Sequence, residues 1–298
     1  MTERFHTLLP ARAALGVAGD DRRSFLQGLV SSDATKVDGA HARHAAFLTA
    51  QGRFLHEFFM VGVGETIQLD AEAPRLDDLA RRLKLYKLRA KVTLAPSAGL
   101  VVAAFWGENA AAAFGLAEEA GAARERAGGA VYVDPRLPAL GVRALLPPAA
   151  VAELAAAHGF AAADAGAYDA LRLAHGVPDG SRDLGVEDAL LLENGFDELG
   201  GVDWKKGCYV GQEVTARMKY RALIRKRLMP VRIDGPAPAS GTRVMLGDVE
   251  AGEMRSAAGG LGLALLRLEA VEKATADGVA LVAGEAKLTP HKPGWANF

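Results

Sequence analysis

Residues 206–213 read Lys-Gly-Cys-Tyr-Val-Gly-Gln-Glu, and this octapeptide holds the chain's only cysteine, Cys208. The two flanking glycines permit positive φ and close backbone approach, and residues 212–217 have the composition of the first turns of a helix. A thiol that follows two lysines and precedes a helix N-terminus lies in positive potential, which favours the reactive thiolate. Cys208 is therefore a candidate nucleophile or redox group, although a lone cysteine is most often a small buried apolar residue.

The composition of the chain excludes several classes of protein. Its 298 residues include 35 basic and 36 acidic side chains, so a formal charge of -1 gives no global field that favours nucleic acid or a membrane. One cysteine cannot form an internal disulfide, and residues 1–6 lack the basic-then-apolar pattern of a secretory signal. No apolar run approaches the ~20 residues that cross a bilayer. We expect a soluble, multi-domain protein of a reducing cytoplasm.

Common nucleotide, hydrolase and metal motifs are missing from the sequence. Residues 62–64 read Gly-Val-Gly, but Ile67 takes the place of the third glycine and a strand pattern follows, which disfavours a dinucleotide site. Neither a Gly-x-x-x-x-Gly-Lys-[Ser/Thr] phosphate loop nor a Gly-x-Ser-x-Gly elbow occurs. His41 and His44 do not complete a ligand set, and one cysteine cannot hold a metal or a cluster alone. We expect no intrinsic metal.

Hydrophobic periodicity predicts an α+β body in the first part of the chain. A helical pattern follows Asp21, and Pro74 fits the first turn of a second helix, which leads into a strand pattern over residues 88–94. Residues 45–50 and 53–61 are strand-like runs split by Gln-Gly, which predicts a β-hairpin because glycine supplies the positive φ of the turn.

The hydrophobic pattern of the sequence changes near residue 226. Short β-like runs punctuated by glycine and proline predict a small antiparallel barrel over residues 226–298. Residues 1–225 then form the body, with two interwoven α+β subdomains of which the middle one spans about 45–145. The aperiodic segment 176–201 is a long loop of the kind that is usually functional or disordered.

The octapeptide, with Thr-Ala-Arg at residues 215–217, resembles the Lys-Gly-Cys-aromatic-x-Gly-Gln-Glu signature of the YgfZ-type folate-binding proteins, relatives of the glycine-cleavage T-protein. The resemblance runs along nearly the whole chain. Residues 176–183 and 224–228 look most like the mitochondrial branch, which helps to mature cubane iron-sulfur proteins. The other matching segments are residues 19–22, 25–30, 51–53, 85–92 and 134–136.

This resemblance implies a T-protein-like multi-domain ring, with a composite α/β body and a C-terminal antiparallel β-barrel around a central hole. It also implies that tetrahydrofolate or another reduced folate binds in the hole and that the octapeptide lies on the rim of the hole. The cofactor-binding positions that the signature implies are Lys206, Gly207, Tyr209, Gly211, Gln212, Glu213 and Arg217.

The chain departs from the T-protein pattern at two places. The T-protein has the sequence Arg-Leu-Glu-Ala-Gly where this chain has Arg-Leu-Ala-His-Gly. Ala174 therefore replaces the glutamate whose carboxylate is expected to bind the pterin. Its paired aspartates after the hairpin glycine are replaced by His56 and Glu57. These losses disfavour glycine-cleavage aminomethyl transfer, which needs a positioned acid near the folate nitrogen. Either residue could serve, but only one of two neighbours on a strand faces a cavity.

Charged residues suggest how a folate or a partner is held. Glu213 matches the adjacent N–H donors of a pterin edge in two-point geometry, or it caps a helix. Two acid-free basic stretches would suit the glutamate tail of folate, an acidic partner or RNA, or they are solvated surface. They comprise Arg81, Arg82, Lys84, Lys87, Arg89 and Lys91, and Arg217, Lys219, Arg221, Arg225, Lys226 and Arg227.

These observations support three hypotheses of function, in order of preference. The first is a folate-dependent accessory factor for iron-sulfur protein maturation, in which Cys208 is a transient nucleophile, redox group or cluster contact on the assembly machinery or its clients. The second is a one-carbon or aminomethyl transferase with an unknown acceptor, using Glu57 or His56. The third is a module that binds tRNA or a protein through the basic stretches and is linked to tRNA modification.

Overall fold

The computed structural model describes residues 3–221 and 224–297. Residues 1 and 2, which belong to the N-terminal segment considered above, lie outside the described residues. The strands are β1 (Arg4–Leu8), β2 (Arg12–Ala18), β3 (Arg43–Leu48), β4 (Phe54–Val63), β5 (Thr66–Glu72), β6 (Thr93–Pro96), β7 (Val101–Gly107), β8 (Ala123–Arg126), β9 (Gly129–Val133), β10 (Val142–Leu146), β11 (Ala161–Ala162), β12 (Lys226–Asp234), β13 (Arg243–Leu246), β14 (Val249–Ala258), β15 (Leu261–Arg267), β16 (Leu281–Ala283) and β17 (Ala286–Pro290). The α-helices are α1 (Arg22–Gln27), α2 (Leu76–Leu85), α3 (Ala110–Ala113), α4 (Pro148–Ala157), α5 (Ala165–Ala174), α6 (Gly180–Asp183), α7 (Gln212–Tyr220) and α8 (Leu268–Asp277).

The chain divides into two compact units. Unit 1 comprises Met1–Leu48, Leu55–Tyr168 and Leu199–Val210, and unit 2 comprises Thr49–Phe54, Asp169–Glu198 and Gly211–Phe298. The octapeptide is therefore shared, because residues 206–210 belong to unit 1 and residues 211–213 to unit 2.

Within residues 3–221, unit 1 contains a five-stranded sheet in the order β3-β4-β5-β2-β6. Helices α1 and α2 pack their apolar residues, including Leu26, Leu79 and Leu83, against Phe58 and other residues of this sheet. The predicted hairpin turn is present, with Gly52 at φ 75°. At this position a Cβ would lie 2.8 Å from the carbonyl oxygen of Gly211, so glycine is required for close approach as well as for φ.

Two details around α2 differ from the sequence-based prediction. Pro74 lies in a short 3₁₀ turn, Ala73–Arg75, that precedes the helix instead of in the helix's first turn. The strand predicted over residues 88–94 begins only at Thr93, because Leu88 takes a left-handed backbone with φ 41° and the chain turns there.

A second sheet of unit 1, also within residues 3–221, has six strands in the order β11-β1-β7-β10-β9-β8. Its core packs Phe105, Phe114 and Phe160 against α3 and α4. The phenylalanine rings meet edge-on, with centroids of Phe105 5.0 Å from Phe114 and 5.1 Å from Phe160.

The two sheets of unit 1 meet at a buried charge cluster centred on Asp70 of β5. Its Oδ1 accepts from Arg12 Nε at 2.8 Å, and its Oδ2 accepts from Arg143 Nη2 and Tyr132 Oη, each at 2.7 Å. The guanidinium carbons of Arg12 and Arg143 lie 5.1 and 4.5 Å from the ring centroid of Phe59, within cation–π range. Strands of both sheets therefore share one carboxylate and one aromatic ring.

Asp134 and Arg136 extend the buried charge cluster. Arg136 Nη2 donates to Asp134 Oδ2 at 2.7 Å, and the guanidinium of Arg136 lies 4.8 Å from the Phe59 ring centroid. Burial alone would raise the pKa of both aspartates. The surrounding arginines instead hold the pKa values of Asp70 and Asp134 below their ordinary range, so both remain carboxylates.

The predicted C-terminal barrel is present in unit 2. Within residues 224–297, six strands close in the order β12-β15-β14-β13-β16-β17, and every pairing is antiparallel. Met229, Val244, Met254 and Leu288 fill the interior. The α+β composition and the closed barrel confirm the predicted fold class, whereas the predicted subdomain boundaries stay a prediction. No helix within the described ranges is long and apolar enough to cross a membrane.

Candidate functional site

Cys208 lies at the surface, in a loop that hydrogen bonds hold in place both before and after the cysteine. Cys208 and Gly207 are exposed, whereas Tyr209 is buried. After the cysteine, the backbone N–H of Val210 donates to the carbonyl of Gly28 at 3.2 Å. Before the cysteine, Lys206 is anchored to the same part of unit 1. An exposed thiol on a fixed backbone is available to a second molecule without a conformational change.

Lys206 is an anchor, a role that sequence reasoning did not identify. Its Nζ donates to the carbonyls of Gln27 at 2.8 Å and Ser32 at 3.0 Å, and also to that of Val30. The ammonium lies 5.0 Å from the ring centroid of Tyr209. Burial lowers the pKa of Lys206 to about 8, so at neutral pH the side chain is still mainly the ammonium that these carbonyls bind.

The two glycines of the octapeptide have different reasons for being glycine. Gly211 has φ 82° and is the N-cap of α7, as the helix prediction requires. Gly207 does not adopt positive φ, and a Cβ built on it would meet no atom within 4 Å. Backbone strain therefore explains Gly211, whereas Gly207 leaves open space beside the thiol.

Helix α7 carries two further predicted binding residues of unit 2 on one face. Glu213 and Arg217 are exposed and four residues apart, so they lie one above the other on the helix. Within the described parts of the chain, no ion pair uses either side chain. Glu213 occupies the second helical position, where an acid favours the helix dipole. A carboxylate and a guanidinium are thus both available to a ligand.

His56 of β4 is buried and bound to another residue. Its Nε2 lies 3.0 Å from Asp78 Oδ2 of α2, and only 3% of the residue is exposed. Burial, helped by the nearby charge of Arg75, lowers the pKa of His56 to about 4 despite the carboxylate. His56 is therefore a neutral imidazole at physiological pH.

Glu57, the other predicted acid, belongs to the buried charge cluster. Its Oε1 lies 3.3 Å from His44 Nε2 and 3.5 Å from Arg136 Nη1. Burial would raise its pKa, but the hydrogen bond with His44 and the charge of Arg136 hold the pKa of Glu57 below its ordinary value. Neither His56 nor Glu57 presents an exposed proton donor, and their catalytic role stays a prediction.

Glu193 in unit 2 is a candidate acid that sequence reasoning missed. It lies in the short 3₁₀ helix Leu191–Asn194, inside the long segment that the sequence indicated as either functional or disordered. Burial raises its pKa, against the opposing charges of Lys226 and Arg53. Perturbed pKa values are found more often at functional sites than elsewhere in a protein. The available signal was the loop's unusual length, which does not single out a residue.

Each of the two basic stretches has two side chains that form ion pairs with carboxylates of the fold. In the second stretch, Lys219 binds Asp197, and the buried Arg227 donates to Glu198 Oε1 at 2.9 Å. In the first, Arg81 and Arg82 bind Asp78, whereas residues 84–89 are all exposed. Both stretches are therefore partly structural.

Comparison with known proteins gives the same assignment as the octapeptide. Residues 225–298 match the family described as CAF17, C-terminal beta-barrel domain. The mitochondrial iron-sulfur cluster assembly factor IBA57 of Homo sapiens is 35% identical over 285 residues, covering 89% of this chain and 78% of the relative. The Mus musculus protein of the same name is 34% identical over 294 residues, with the same coverage.

A solved structure shows the fold relationship. The crystal structure of glycine cleavage system aminomethyltransferase T from Bartonella henselae matches with a TM-score of 0.79, covering 99% of this chain and 87% of that chain. At 15% identity this likeness concerns the fold alone. Together with the IBA57 relatives it confirms the resemblance drawn from the sequence. The chain belongs to the family of the iron-sulfur cluster assembly factor IBA57 and has a T-protein-like fold.

Proposed function

We propose that this protein is an accessory factor for the maturation of cubane iron-sulfur proteins, which binds a reduced folate and presents Cys208 to the assembly machinery or a client. The observation that carries the proposal is the exposed thiol on a doubly anchored loop, in a chain whose relatives are named iron-sulfur cluster assembly factors. In line with this role, we place the protein in the bacterial cytoplasm.

The chemistry of Cys208 follows from its exposure and its isolation. A thiolate is a soft ligand that suits the iron of a cluster. Clusters require several protein ligands, and within the described residues no group of three or more His, Cys, Asp or Glu side chains is arranged to hold a metal. A cluster contact at Cys208 would therefore be shared with ligands from a partner. The same exposure would also serve a transient nucleophile or a redox thiol.

Substitutions of Cys208 distinguish these roles in cells that depend on the protein for aconitase activity. We expect Cys208→Ala to abolish the rescue of aconitase, while Lys205→Arg, a neighbouring exposed change that keeps the positive charge, retains it. Cys208→His separates the chemistries, because imidazole can ligate cluster iron but cannot form a disulfide or a thioester. Partial rescue by Cys208→His supports the cluster contact, and no rescue supports the covalent or redox roles. Full rescue by Cys208→Ala would remove the thiol from the proposal.

The folate half of the proposal is supported by the exposed face of α7. Glu213 fits the N–H donors of a pterin edge, and Arg217 fits a carboxylate of the glutamate tail. Gly207 and the other residues of the octapeptide are the remaining proposed contacts, and the open space at Gly207 is compatible with an incoming group. When bound, the reduced folate would supply a one-carbon carrier or a reductant.

Direct titration of the purified protein with tetrahydrofolate tests this half. We expect Glu213→Gln and Arg217→Gln each to weaken binding by about tenfold, since each removes a charge-assisted contact. Glu272→Gln, on an exposed face of α8, is the matched control. Absence of binding at millimolar tetrahydrofolate would eliminate the cofactor and leave the thiol's role standing.

The alternative functions have less support. Aminomethyl transfer would depend on His56 or Glu57, and both are buried with ionic partners. Turnover of methylene-tetrahydrofolate that is lost in Glu57→Gln would restore this alternative. A tRNA-binding role would depend on the second basic stretch, in which Lys219 and Arg227 already bind carboxylates.

A further inference from the structure

Residues 84–89, Lys-Leu-Tyr-Lys-Leu-Arg, form an exposed patch in unit 1 that the proposed function does not use. All six residues are exposed, including three large apolar side chains. The exposed fraction is 68% for Leu85, 42% for Tyr86 and 90% for Leu88. We call residues 84–89 the Leu88 patch.

The exposure of the Leu88 patch is built into the fold. Helix α2 buries Leu79 and Leu83 completely. Its buried apolar face therefore ends at Leu83, before the patch begins. Leu88 then adopts φ 41°, a left-handed conformation that is sterically unfavourable for a leucine. Backbone strain of this kind persists where the surroundings fix the chain and is concentrated at functional segments.

The chain around Leu88 is fixed at Tyr86 and at Lys91. The Tyr86 ring meets the buried Phe47 ring edge-on, with centroids 5.9 Å apart and planes at 84°. Two residues after the patch, the N–H of Lys91 donates to Asp21 Oδ2 at 2.7 Å. The intervening residues are thereby held in an outward turn between two anchors.

The charge of the Leu88 patch is uniformly positive and unpaired. No aspartate or glutamate occurs in the sequence between Asp78 and Glu108. Within residues 3–221 and 224–297, no ion pair uses Lys84, Lys87 or Arg89. Exposed leucines surrounded by unpaired cations are complementary to a surface that combines carboxylates with an apolar pocket.

We infer that the Leu88 patch is a docking surface for a protein partner whose contact region is acidic and apolar. RNA is a poorer fit, because its recognition uses aromatic stacking and the one aromatic ring here already packs on Phe47. A lipid surface is also a poorer fit, since the apolar face of α2 that would insert is buried in the core. The inference is independent of Cys208 and of the folate.

Peptide binding to the full-length protein tests this docking surface. The probe is a fluorescein-labelled amphipathic helical peptide with leucines at i, i+3, i+4 and i+7 and glutamates at the remaining positions. Two matched peptides replace the leucines with serine or the glutamates with lysine. We expect the acidic leucine peptide to bind at least about tenfold more tightly than either matched peptide, the factor expected for one buried leucine or a few ion pairs.

Variants connect the binding to the Leu88 patch. Leu88→Ser and the triple change Lys84→Gln, Lys87→Gln, Arg89→Gln should each weaken binding by about tenfold, whereas Lys273→Gln on α8 should leave it unchanged. Unchanged thermal unfolding of each variant excludes misfolding. The inference is overturned if the acidic leucine peptide does not bind at millimolar concentration, or if Leu88→Ser binds like the wild type. Tighter Leu88-dependent binding of an RNA hairpin or of phosphatidylglycerol vesicles would overturn it as well.

Discussion

Two groups of cationic side chains in unit 1 have opposite environments. Arg12, Arg136 and Arg143 are buried around the Phe59 ring, and each binds a carboxylate within the buried charge cluster. Lys84 and Arg89 of the Leu88 patch are exposed and belong to no ion pair of the described chain. The difference shows that the position of acidic partners decides whether a cation stabilises the fold or remains available for binding.

Each arginine of the buried group depends on its carboxylate partner for stability. Removing one partner from a buried ion pair leaves an uncompensated charge, which costs far more than the intact pair contributes. Neutralising an exposed cation changes the free energy of unfolding little, because water already solvates the charge. Substitutions in the two groups should therefore differ in their effect on the free energy of unfolding.

The largest effect is expected at the centre of the buried charge cluster. Asp70→Asn should lower the free energy of unfolding by about 3–5 kcal/mol, because Arg12 and Arg143 keep their charges without the shared carboxylate. Urea titration monitored by circular dichroism measures this loss, with Asp248→Asn on an exposed turn as the control. A loss below about 1 kcal/mol would contradict the claim that these charges support the junction of the two sheets.

The second prediction concerns the pH dependence of the free energy of unfolding, to which the buried His56 of β4 contributes. The pKa of His56 is about 4 in the folded protein, below its ordinary value of 6.5. Between these values the unfolded chain binds a proton that the folded chain does not, so stability should fall as the pH decreases from 6.5 to 4. The full effect is about 3 kcal/mol. Asp70, Asp134 and Glu57 add losses that begin as the pH falls through their ordinary pKa values of 3.8 to 4.5 and continue toward their lowered pKa values in the folded protein.

The variant His56→Gln isolates this contribution, since glutamine cannot take up a proton. We expect its free energy of unfolding to fall less than that of the wild type between pH 6.5 and 4, and the remaining fall comes from groups such as His175 and His291, whose pKa values burial also lowers. An equal pH dependence in the variant and the wild type would show that other groups titrate in this window.

A substitution of Lys206 should have an intermediate effect on stability, because its ammonium is half-buried and bound by neutral carbonyls. Lys206→Met should lower the free energy of unfolding by about 1–3 kcal/mol, since the carbonyls of Gln27, Val30 and Ser32 lose their donor. Hydrogen exchange in residues 204–210 should become faster as the loop loosens. Lys205→Met is the matched control, and equal exchange in both variants would disprove the anchoring role.

The smallest effect is expected in the Leu88 patch. Neutralising Lys84, Lys87 and Arg89 together should change the free energy of unfolding by no more than about 0.5 kcal/mol. The same urea titration serves as the measurement. A loss approaching that of Asp70→Asn would remove the distinction between structural and available cations.

Local sequence determined much of the fold and the location of the site. The octapeptide identified the loop, and Gly211 caps α7 with the positive φ that the motif required. The Gln-Gly turn at residues 51–52 and the barrel strands from residue 226 also follow from short-range patterns. Such features are predictable because turns and strand periodicity depend on neighbouring residues.

The tertiary structure alone decided which charges are paired. Asp70 meets Arg12 and Arg143 across 58 and 73 residues, and Lys206 reaches carbonyls 174 to 179 residues away. Leu88, which the sequence pattern assigned to a strand, is instead turned outward. Sequence patterns report local periodicity and charge, whereas desolvation and pairing depend on which distant strands the fold brings together.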